Sequence, residues 1–181
     1  TYDCDILICG AGCSGIAAAA TASELGLNFI CCDKALNVPE TREYFGAVNT
    51  TASLATGNEV DPLKLQNELV RYSSGKANRD LIRQWIDCSA ETFDWVDPIL
   101  AAANKPCVVD TPQGEGSGGT DFYEPFVQHM WQPSYVPPTR NDLLYQKMQG
   151  EGNDVWFGYE LVRLVHEDGK VSGGVFKCED G

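Results

Sequence analysis

The chain reads Ile6-Leu-Ile-Cys-Gly10-Ala-Gly12-Cys-Ser-Gly15-Ile-Ala-Ala-Ala-Ala20 near its start and Phe29-Ile-Cys-Cys-Asp33-Lys34 shortly afterwards. An apolar strand, a glycine turn, an Ala-rich helix, a second apolar strand and an acid follow one another in this order. The isolated pattern Gly-x-Gly-x-x-Gly is a weak signal, and it becomes specific only in this context. The arrangement predicts a βαβ unit that binds a dinucleotide.

Each glycine of the turn has a separate physical task. Gly10 permits the tight turn out of the strand, Gly12 leaves room for a pyrophosphate beside the backbone, and Gly15 lets the helix pack closely on the sheet. The helix N-terminus, including Ser14, offers free N–H groups and the positive end of the helix dipole to phosphates. Asp33 lies where an acid that accepts hydrogen bonds from a ribose is expected.

Composition excludes several classes of function. The 181 residues are 43% hydrophobic, and the formal net charge is −13, with 13 Lys and Arg against 26 Asp and Glu. This balance argues against nucleic acid and anionic membrane surfaces as partners. No apolar run approaches the ~20 residues of a transmembrane helix.

The eight cysteines contain no Cys-x-x-Cys pair, and neither histidine lies near them in the sequence, so no metal site is predicted. Cys9, Cys31 and Cys32 are expected to be buried in the two strands as small apolar residues. Reduced thiols predict a cytoplasmic protein. Because the sequence starts at Thr1 rather than Met, the alternative is export of the folded, cofactor-loaded protein with its signal removed.

The rest of the chain predicts a helical pair, an irregular segment and strands. One helix opens at Asp61-Pro62, and a second runs from about Asp80 to Val96, where Asp97-Pro98 ends it. Residues 111–139 are expected to be irregular, and a short helix covers 141–149. Strands 155–164 and 171–178 flank a turn at 167–170. The expected fold class is α/β, with a parallel sheet and a terminal β-meander.

A typical NAD domain repeats βα units after its second strand, and this sequence does not. Two longer stretches then indicate which dinucleotide is bound. Residues 41–49 read Thr-Arg-Glu-Tyr-Phe-Gly-Ala-Val-Asn, which resembles Asn-Ser/Thr-Lys/Arg followed by Ala-Gly-Gly-x-Asn. Residues 78–95 resemble a helix that ends in Ser-x-x-x-x-Asp-Trp-Leu. With the glycine turn and the terminal strands, the whole chain is similar to the flavoproteins of the fumarate reductase and succinate dehydrogenase type, whose FAD domain 3-ketosteroid dehydrogenases share.

The resemblance implies a Rossmann-like FAD-binding domain, incomplete in this chain, and assigns contacts to FAD. Gly10, Gly12, Ser14 and Gly15 would face the pyrophosphate, and Asp33, with Lys34 beside it, would hold the adenosine ribose. Thr41 would reach a phosphate or ribityl oxygen, with Arg42 close by. The remaining implied contacts are Gly46 and Ala47 along the isoalloxazine ring and the backbone of Val162 at the adenine.

Two departures from the family pattern weaken the implied FAD site. Pro39-Glu40 replaces a Gly-Gly pair with one residue missing, which removes a backbone donor and adds a negative charge. Ala47 replaces a glycine, and its methyl group crowds the ring. Both changes predict weaker FAD binding and support the alternative of a non-catalytic domain that has lost the cofactor.

The resemblance also implies an organisation for the whole protein. Residues 1–181 would be the N-terminal portion of an FAD-binding domain, with 58–150 inserted between the βαβ unit and the meander and with the cap domain and the C-terminal part absent. The enzyme would transfer hydride between flavin N5 and an activated C–C double bond of an enoate or enone. A small-molecule substrate and an electron-donor protein or domain are the implied partners.

No catalytic residue is assigned, because the family's catalytic Arg and His residues would lie beyond Gly181. Tyr135, His129 and Arg140 fall in or beside the irregular region that would border the active site, but no spacing marks them as a set. An NAD(P)-dependent or disulfide-reductase-like enzyme built on the same first βαβ unit is a further alternative.

Overall fold

The structure, a computed structural model, describes residues 1–39, 42, 44–109 and 128–178. The chain divides into two compact units, a first unit of Thr1–Thr41 with Val136–Gly181 and a second unit of Arg42–Tyr135. In chain order the elements are β1 (Ile6–Cys9), α1 (Cys13–Glu24), β2 (Phe29–Asp33), β3 (Tyr44–Gly46), α2 (Thr51–Ala55), α3 (Pro62–Tyr72), α4 (Arg79–Ala102), β4 (Cys107–Val109), β5 (Gln128–Trp131), α5 (Arg140–Gly150), β6 (Val155–Phe157), β7 (Tyr159–Glu167) and β8 (Lys170–Cys178).

A parallel three-stranded sheet organises the first unit, in the order β1-β2-β6. Ile6 pairs with Phe29, and Cys31 pairs with Val155. The predicted βαβ unit is therefore confirmed, and a third parallel strand joins it from the far end of the chain. The α/β fold class with a parallel sheet is confirmed with it.

Helix α1 has the small residues that close packing requires. Its buried positions are Ile16, Ala19, Ala20, Ala22 and Ser23. Because most side chains on this face are small, α5 packs closely on α1. Leu143, Leu144 and Met148 of α5 are buried there. The helix stops before Gly26, whose φ of +65° is the left-handed conformation that commonly ends helices.

The strand predicted over residues 155–164 is two strands in the structure. Gly158 has a φ of +77°, and its N–H donates to the carbonyl of Ala35 at 2.9 Å. This break lets β6 join the parallel sheet while β7 pairs with β8 as an antiparallel hairpin. The hairpin is the described part of the predicted meander.

The second unit contains an antiparallel sheet that the sequence did not indicate, in the order β3-β5-β4. Tyr44 pairs with Met130, and Cys107 pairs with Trp131. Each strand has only three or four residues. The expectation of an irregular segment is wrong for residues 128–131, which form β5; residues 110–127 lie outside the described residues.

Helix α4 continues through Pro98, so the predicted end at Asp97-Pro98 is wrong. Pro98 removes the hydrogen bond to the carbonyl four residues earlier, and its ring crowds that carbonyl. Burial on both sides holds the helix together, because Val96 is 2% exposed and Leu100 is fully buried. Asp97 also accepts a hydrogen bond from the indole N–H of Trp131 at 2.7 Å.

Two clusters form the interior of the second unit. Val48, Val60, Leu65 and Ile86 make an aliphatic cluster. The second cluster is aromatic: the ring of Phe93 stacks on Trp131, with centroids 5.4 Å apart, and lies 4.4 Å from His129. These contacts bring α4 and β5 together around buried side chains.

The cysteines differ in burial. All eight fall within the described residues, and none is in a disulfide. Cys31 and Cys32 are buried as predicted, whereas the predicted burial of Cys9 is wrong, because Cys9 is exposed at the end of β1. Burial raises the pKa of Cys31 to about 12 and that of Cys32 to about 11.

The two units do not test the predicted domain organisation, so the insertion over 58–150 stays a prediction. Among the described residues, no helix is both long enough and apolar enough to cross a membrane.

We predict that Asp97→Ala lowers the free energy of unfolding by about 1–3 kcal/mol, because it leaves the buried indole N–H of Trp131 without an acceptor. Urea denaturation followed by tryptophan fluorescence measures the change. Asp94→Ala on the same helix is the matched control, since Asp94 is exposed and bonds Thr51 at the surface. Equal losses in the two variants would contradict the role given to Asp97.

We also predict a fall in stability at alkaline pH that depends on Cys31. The folded state holds the Cys31 proton up to a pKa of about 12, while an unfolded thiol releases it near a pKa of about 8.5. The contribution is therefore complete below pH ~8.5 and is lost as the pH rises toward 12. Between pH 8 and pH 10 the wild type should lose about 2 kcal/mol more than Cys31→Ala. The exposed-site control Cys88→Ala should follow the wild type; a wild-type loss matching that of Cys31→Ala would disprove the assignment.

Candidate functional site

The turn between β1 and α1 is held by the backbone of its own βαβ unit. Gly10 has a φ of +104°, a conformation that favours glycine, and its N–H donates to the carbonyl of Cys32 at 2.7 Å. The turn therefore begins at the end of β1 and is anchored across to β2.

Asp33 completes that anchor. Its Oδ2 accepts the N–H of Ala11 at 2.5 Å, and its Oδ1 accepts the N–H of Ala35 at 2.7 Å. A carboxylate has about four acceptor positions, so each oxygen retains one for a further donor. The acid predicted to hold a ribose thus also fixes the turn from the second strand.

Gly12 and Gly15 meet opposite constraints. A Cβ on Gly15 would lie 1.7 Å from the carbonyl oxygen of Gly10, so only glycine fits where α1 leaves the turn. A Cβ on Gly12 would meet nothing within 4 Å. The protein interior therefore requires Gly15, whereas the space beside Gly12 is open to a ligand.

The first turn of α1 presents backbone donors. Gly12 is the N-cap and has no side chain to accept from them, and the first turn contains no acid. The first helical bond runs from Ile16 N–H to the Gly12 carbonyl at 2.8 Å, and Ser14 is exposed. A helix N-terminus of this kind attracts phosphate through its N–H groups and its dipole.

Val162 lies at a β-bulge of the hairpin. Leu161 pairs with Phe176 and Arg163 pairs with Val175, so Val162 is an extra residue without a partner position on β8. A bulged residue is left out of the ladder, so its backbone groups remain available to a ligand. Val162 is 60% exposed, and Lys34, after the acid, is also exposed.

The predicted flavin-ring residues belong to the second unit. Gly46 ends β3 and is exposed, whereas Ala47 is fully buried. The Gly46 carbonyl accepts from the indole of Trp85 at 3.2 Å, and the Val48 N–H donates to Ser89 Oγ at 2.9 Å. Gly46 is therefore the accessible backbone position here. Arg42 is exposed, and Thr41 and Glu40 lie outside the described residues.

The segment after Ala47 is fixed by one asparagine. Asn49 has a φ of +54°, and its side-chain amide exchanges two hydrogen bonds with the backbone of Val60, at 3.0 and 2.8 Å. The Asn49 side chain thus fixes residues 47–50 to the segment just before α3 through one donated and one accepted hydrogen bond.

His129 is a structural residue in this unit. It is fully buried in β5, its Nε2 lies 2.7 Å from Thr50 Oγ1, and its Nδ1 lies 3.3 Å from the Phe45 carbonyl. The expectation that His129 lies in an irregular region is therefore wrong, because it occupies a buried position that joins β3, β5 and α2.

Three residues at the turn were not singled out as a group from the sequence. Arg140 Nη2 lies 3.5 Å from Cys13 Sγ, and Asn141 Nδ2 lies 4.0 Å from the same sulfur. Arg140 is 7% exposed and Asn141 is fully buried. More than 120 residues separate these side chains from Cys13, so no local pattern could have brought them together.

Other kinds of site are not evident in the described part of the chain. No group of three His, Cys, Asp or Glu side chains there could hold a metal ion. A cavity of about 840 Å³ lies between the N-terminal residues and the hairpin, lined by Tyr2, Leu7, Trp156 and Gly174 among others. Its lining does not include the turn at Gly10–Gly15, so the two features are separate.

The geometry of the turn fits a dinucleotide. The open space beside Gly12, the uncapped donors of α1 and the anchored Asp33 are the three elements that a pyrophosphate and an adjoining ribose require. Of the predicted residues, Gly10, Gly12, Ser14, Gly15 and Asp33 come together in the first unit. Lys34 follows them in sequence, and Val162 lies on the hairpin.

A family model described as "FAD binding domain" matches residues 5–181. No curated protein matches the chain.

Solved structures show the same fold at low identity. The chain is similar to the open conformation of a flavocytochrome c3 fumarate reductase, with a TM-score of 0.73 and 22% identity, covering 96% of this chain and 30% of that one. It is also similar to a 3-ketosteroid-Δ4-(5α)-dehydrogenase from Rhodococcus jostii RHA1 in complex with 4-androstene-3,17-dione, with a TM-score of 0.80, 16% identity and coverage of 99% and 43%.

A third structure, a 3-ketosteroid Δ1-dehydrogenase from Sterolibacterium denitrificans in complex with 1,4-androstadiene-3,17-dione, has a TM-score of 0.74 and 11% identity, and coverage is 100% and 45%. The chain thus spans less than half the length of each of these proteins. The resemblance stated from the sequence is confirmed by the family match and by these folds.

We predict that Gly15→Ala destabilises the protein by at least about 2 kcal/mol, because its methyl group must displace the Gly10 carbonyl. Gly12→Ala is the matched comparison, since its methyl group meets open space, and we expect a change of less than about 1 kcal/mol. Chemical denaturation measures both. Similar losses for the two variants would show that the turn is packed differently.

Proposed function

The chain belongs to the FAD-binding domain family, and on this premise we propose that it holds FAD in an oxidoreductase that transfers hydride between flavin N5 and an activated C–C double bond. The observation that carries the proposal is the turn at Gly10–Gly15, where open space at Gly12, free helix donors and an anchored acid coincide. The family binds FAD, and the turn has the chemistry that FAD's pyrophosphate requires.

The contacts that we propose follow the geometry of each unit. Gly12, Ser14 and Gly15 receive the pyrophosphate through backbone N–H groups and the Ser14 hydroxyl, while Gly10, whose own N–H donates to Cys32, lines the site through its turn conformation. Asp33 accepts from the ribose with its remaining lone pairs while it holds Ala11. Lys34 stands beside the ribose, and the bulged backbone of Val162 binds the adenine edge.

For the second unit we propose contacts to the flavin end of the cofactor. Arg42, with Thr41, binds near a phosphate or ribityl oxygen. The backbone of Gly46 and Ala47 lies along the ring and donates toward N5 and the pyrimidine edge. Donors in these positions stabilise the negative charge of a reduced flavin. Because Ala47 is fully buried, we assign the first contact to Gly46.

The substrate class is inferred from chemistry that two kinds of relatives share. Fumarate has its double bond next to carboxylates, and 4-androstene-3,17-dione has one next to a ketone. Both are alkenes activated by a carbonyl group, which a bound flavin reduces or forms by hydride transfer at N5. We therefore propose an enoate or enone as the small-molecule substrate and a separate protein or domain as the electron donor.

A non-catalytic domain that has lost FAD is the second candidate. Pro39 and Ala47 favour it, because one removes a donor and the other adds a methyl group where the family has glycine. The buried state of Ala47 weakens the steric part of this argument, since that methyl group is enclosed by the protein itself.

We predict that the purified full-length protein is yellow, with flavin absorbance near 450 nm, and that FAD raises its melting temperature. Gly12→Ala should weaken FAD binding at least about 10-fold, because the methyl group occupies the pyrophosphate's approach. The control is Gly150→Ala, whose methyl group also meets nothing within 4 Å but lies at the far end of α5.

A colourless protein whose melting temperature FAD does not change would support the non-catalytic candidate instead. If FAD binds, the reduced protein is mixed without oxygen with enoates and with enones. Reoxidation by one class identifies the substrate type, and reoxidation by neither would remove the double-bond part of the proposal.

A further inference from the structure

Helix α5 brings two polar side chains to the phosphate turn from outside the βαβ unit. Arg140 and Asn141 occupy its first two positions, after the N-cap Thr139. A capping box fixes this helix start: the Thr139 N–H donates to Asp142 Oδ2 at 2.7 Å, and the Asp142 N–H donates to Thr139 Oγ1 at 3.3 Å. Both side chains therefore come from a rigid helix terminus.

Their positions relative to the turn are set by contacts at Cys13, the first residue of α1. Arg140 Nη2 lies 3.5 Å from Cys13 Sγ, and the Asn141 amide nitrogen lies 4.0 Å from the sulfur and 3.4 Å from the Pro39 carbonyl. The pair thus stands between the glycine turn and the segment that leads to residues 40–41.

The charges at this point favour an anion. Arg140 brings a guanidinium to the N-terminus of α1, which has positive potential of its own, and the first turn of α1 has no acid. A diphosphate at this point would contact both the N–H groups of α1 and the guanidinium, and the planar fork of arginine matches phosphate oxygens in pairs.

A second observation at the same place concerns Asn141. The residue is fully buried, and its Oδ1 accepts no hydrogen bond from the described part of the protein. A buried amide oxygen without a donor costs about 1–3 kcal/mol. The hydroxyl groups that flank the diphosphate in FAD are donors of the kind this oxygen lacks.

We infer that Arg140 and Asn141 form a second wall of the cofactor site, in which Arg140 binds the pyrophosphate and Asn141 Oδ1 accepts from a neighbouring hydroxyl group of FAD. This inference rests on the proposed function, because it needs a ligand with a diphosphate at the turn. It assigns to α5 a binding role that lies outside the glycine motif.

The test compares three ligands in the full-length protein: FAD and ADP contain a diphosphate, whereas riboflavin has none. Arg140→Gln should weaken FAD and ADP binding by roughly 10- to 100-fold, with riboflavin unchanged. Arg140→Lys, which keeps the charge and loses the fork, should fall between Arg140→Gln and the wild type. Asn141→Ala should weaken FAD binding about 2- to 10-fold. The control is Arg83→Gln, on the exposed face of α4.

The alkylation rate of the Cys13 thiol can be measured in the wild type, without any variant. Cys13 is exposed beside Arg140. Bound FAD or ADP should cover the thiol and slow its alkylation by iodoacetamide at least about 5-fold, because thiol reactivity depends on exposure. Peptide mass spectrometry follows Cys13 and the exposed Cys88 in one sample, and Cys88 should react at the same rate with and without ligand. If Arg140→Gln does not fold, Arg140→Lys still decides the role of Arg140, and the protection measurement shows whether a ligand occupies the turn.

The outcomes separate the two proposals. Normal FAD and ADP binding in Arg140→Gln overturns the inference and leaves the proposed function standing. Tighter binding in this variant also overturns it, since Arg140 would then occupy the ligand's place. If the wild type binds ADP but not FAD, and Arg140→Gln loses ADP binding, the diphosphate contact of Arg140 is supported while the proposed function fails. A wild type that binds neither ligand overturns both proposals.

Discussion

The site depends on the close approach of Gly15 to the carbonyl of Gly10. Because a side chain at Gly15 would overlap that oxygen at 1.7 Å, α1 can start directly against the end of β1. The N–H groups of its first turn then point beside Gly12, where the space is open. Asp33 secures this geometry from the second strand by accepting the Ala11 N–H. One short loop thereby joins both strands, the helix and the anion-binding donors.

The same helix explains why α5 reaches the turn. Most side chains on the Ala-rich face of α1 are small, so α5 packs closely on it. Polar contacts fix the far end: Ser23 donates to Glu151 and accepts from Asn153, and Lys147 pairs with Glu24. The near end then places Arg140 and Asn141 beside Cys13. The small residues of α1 that allow close packing thus also allow Arg140 and Asn141 to reach the turn.

The sequence predicted what depends on neighbouring residues and missed what depends on distant ones. β1, α1, β2 and Asp33 lie within the first 33 residues, where glycine spacing and apolar pattern are sufficient. β3 and β5 are three and four residues long and exist through pairs such as Tyr44 with Met130, which no local pattern reveals. Pro98 predicts a helix end because its local cost is visible in the sequence, while the burial of Leu100 that offsets this cost is not. The contact of Arg140 with Cys13 was missed for the same reason.

The departures at Pro39, Glu40 and Ala47 affect FAD affinity through groups close to the cofactor, and their effect must be considered separately from that of the net charge of the chain. The net charge of −13 opposes an anionic cofactor, but mobile ions screen exposed charges beyond about 8–10 Å. Groups in direct contact with the pyrophosphate therefore matter most, and those that we propose are the N–H groups of α1 and the guanidinium of Arg140. Pro39 has no backbone N–H to donate, but its carbonyl accepts a hydrogen bond from the Asn141 side-chain amide. This bond helps to position Asn141 in the second wall. The second wall that we infer would therefore add the charge of Arg140 to the space and the backbone donors that the glycine turn provides.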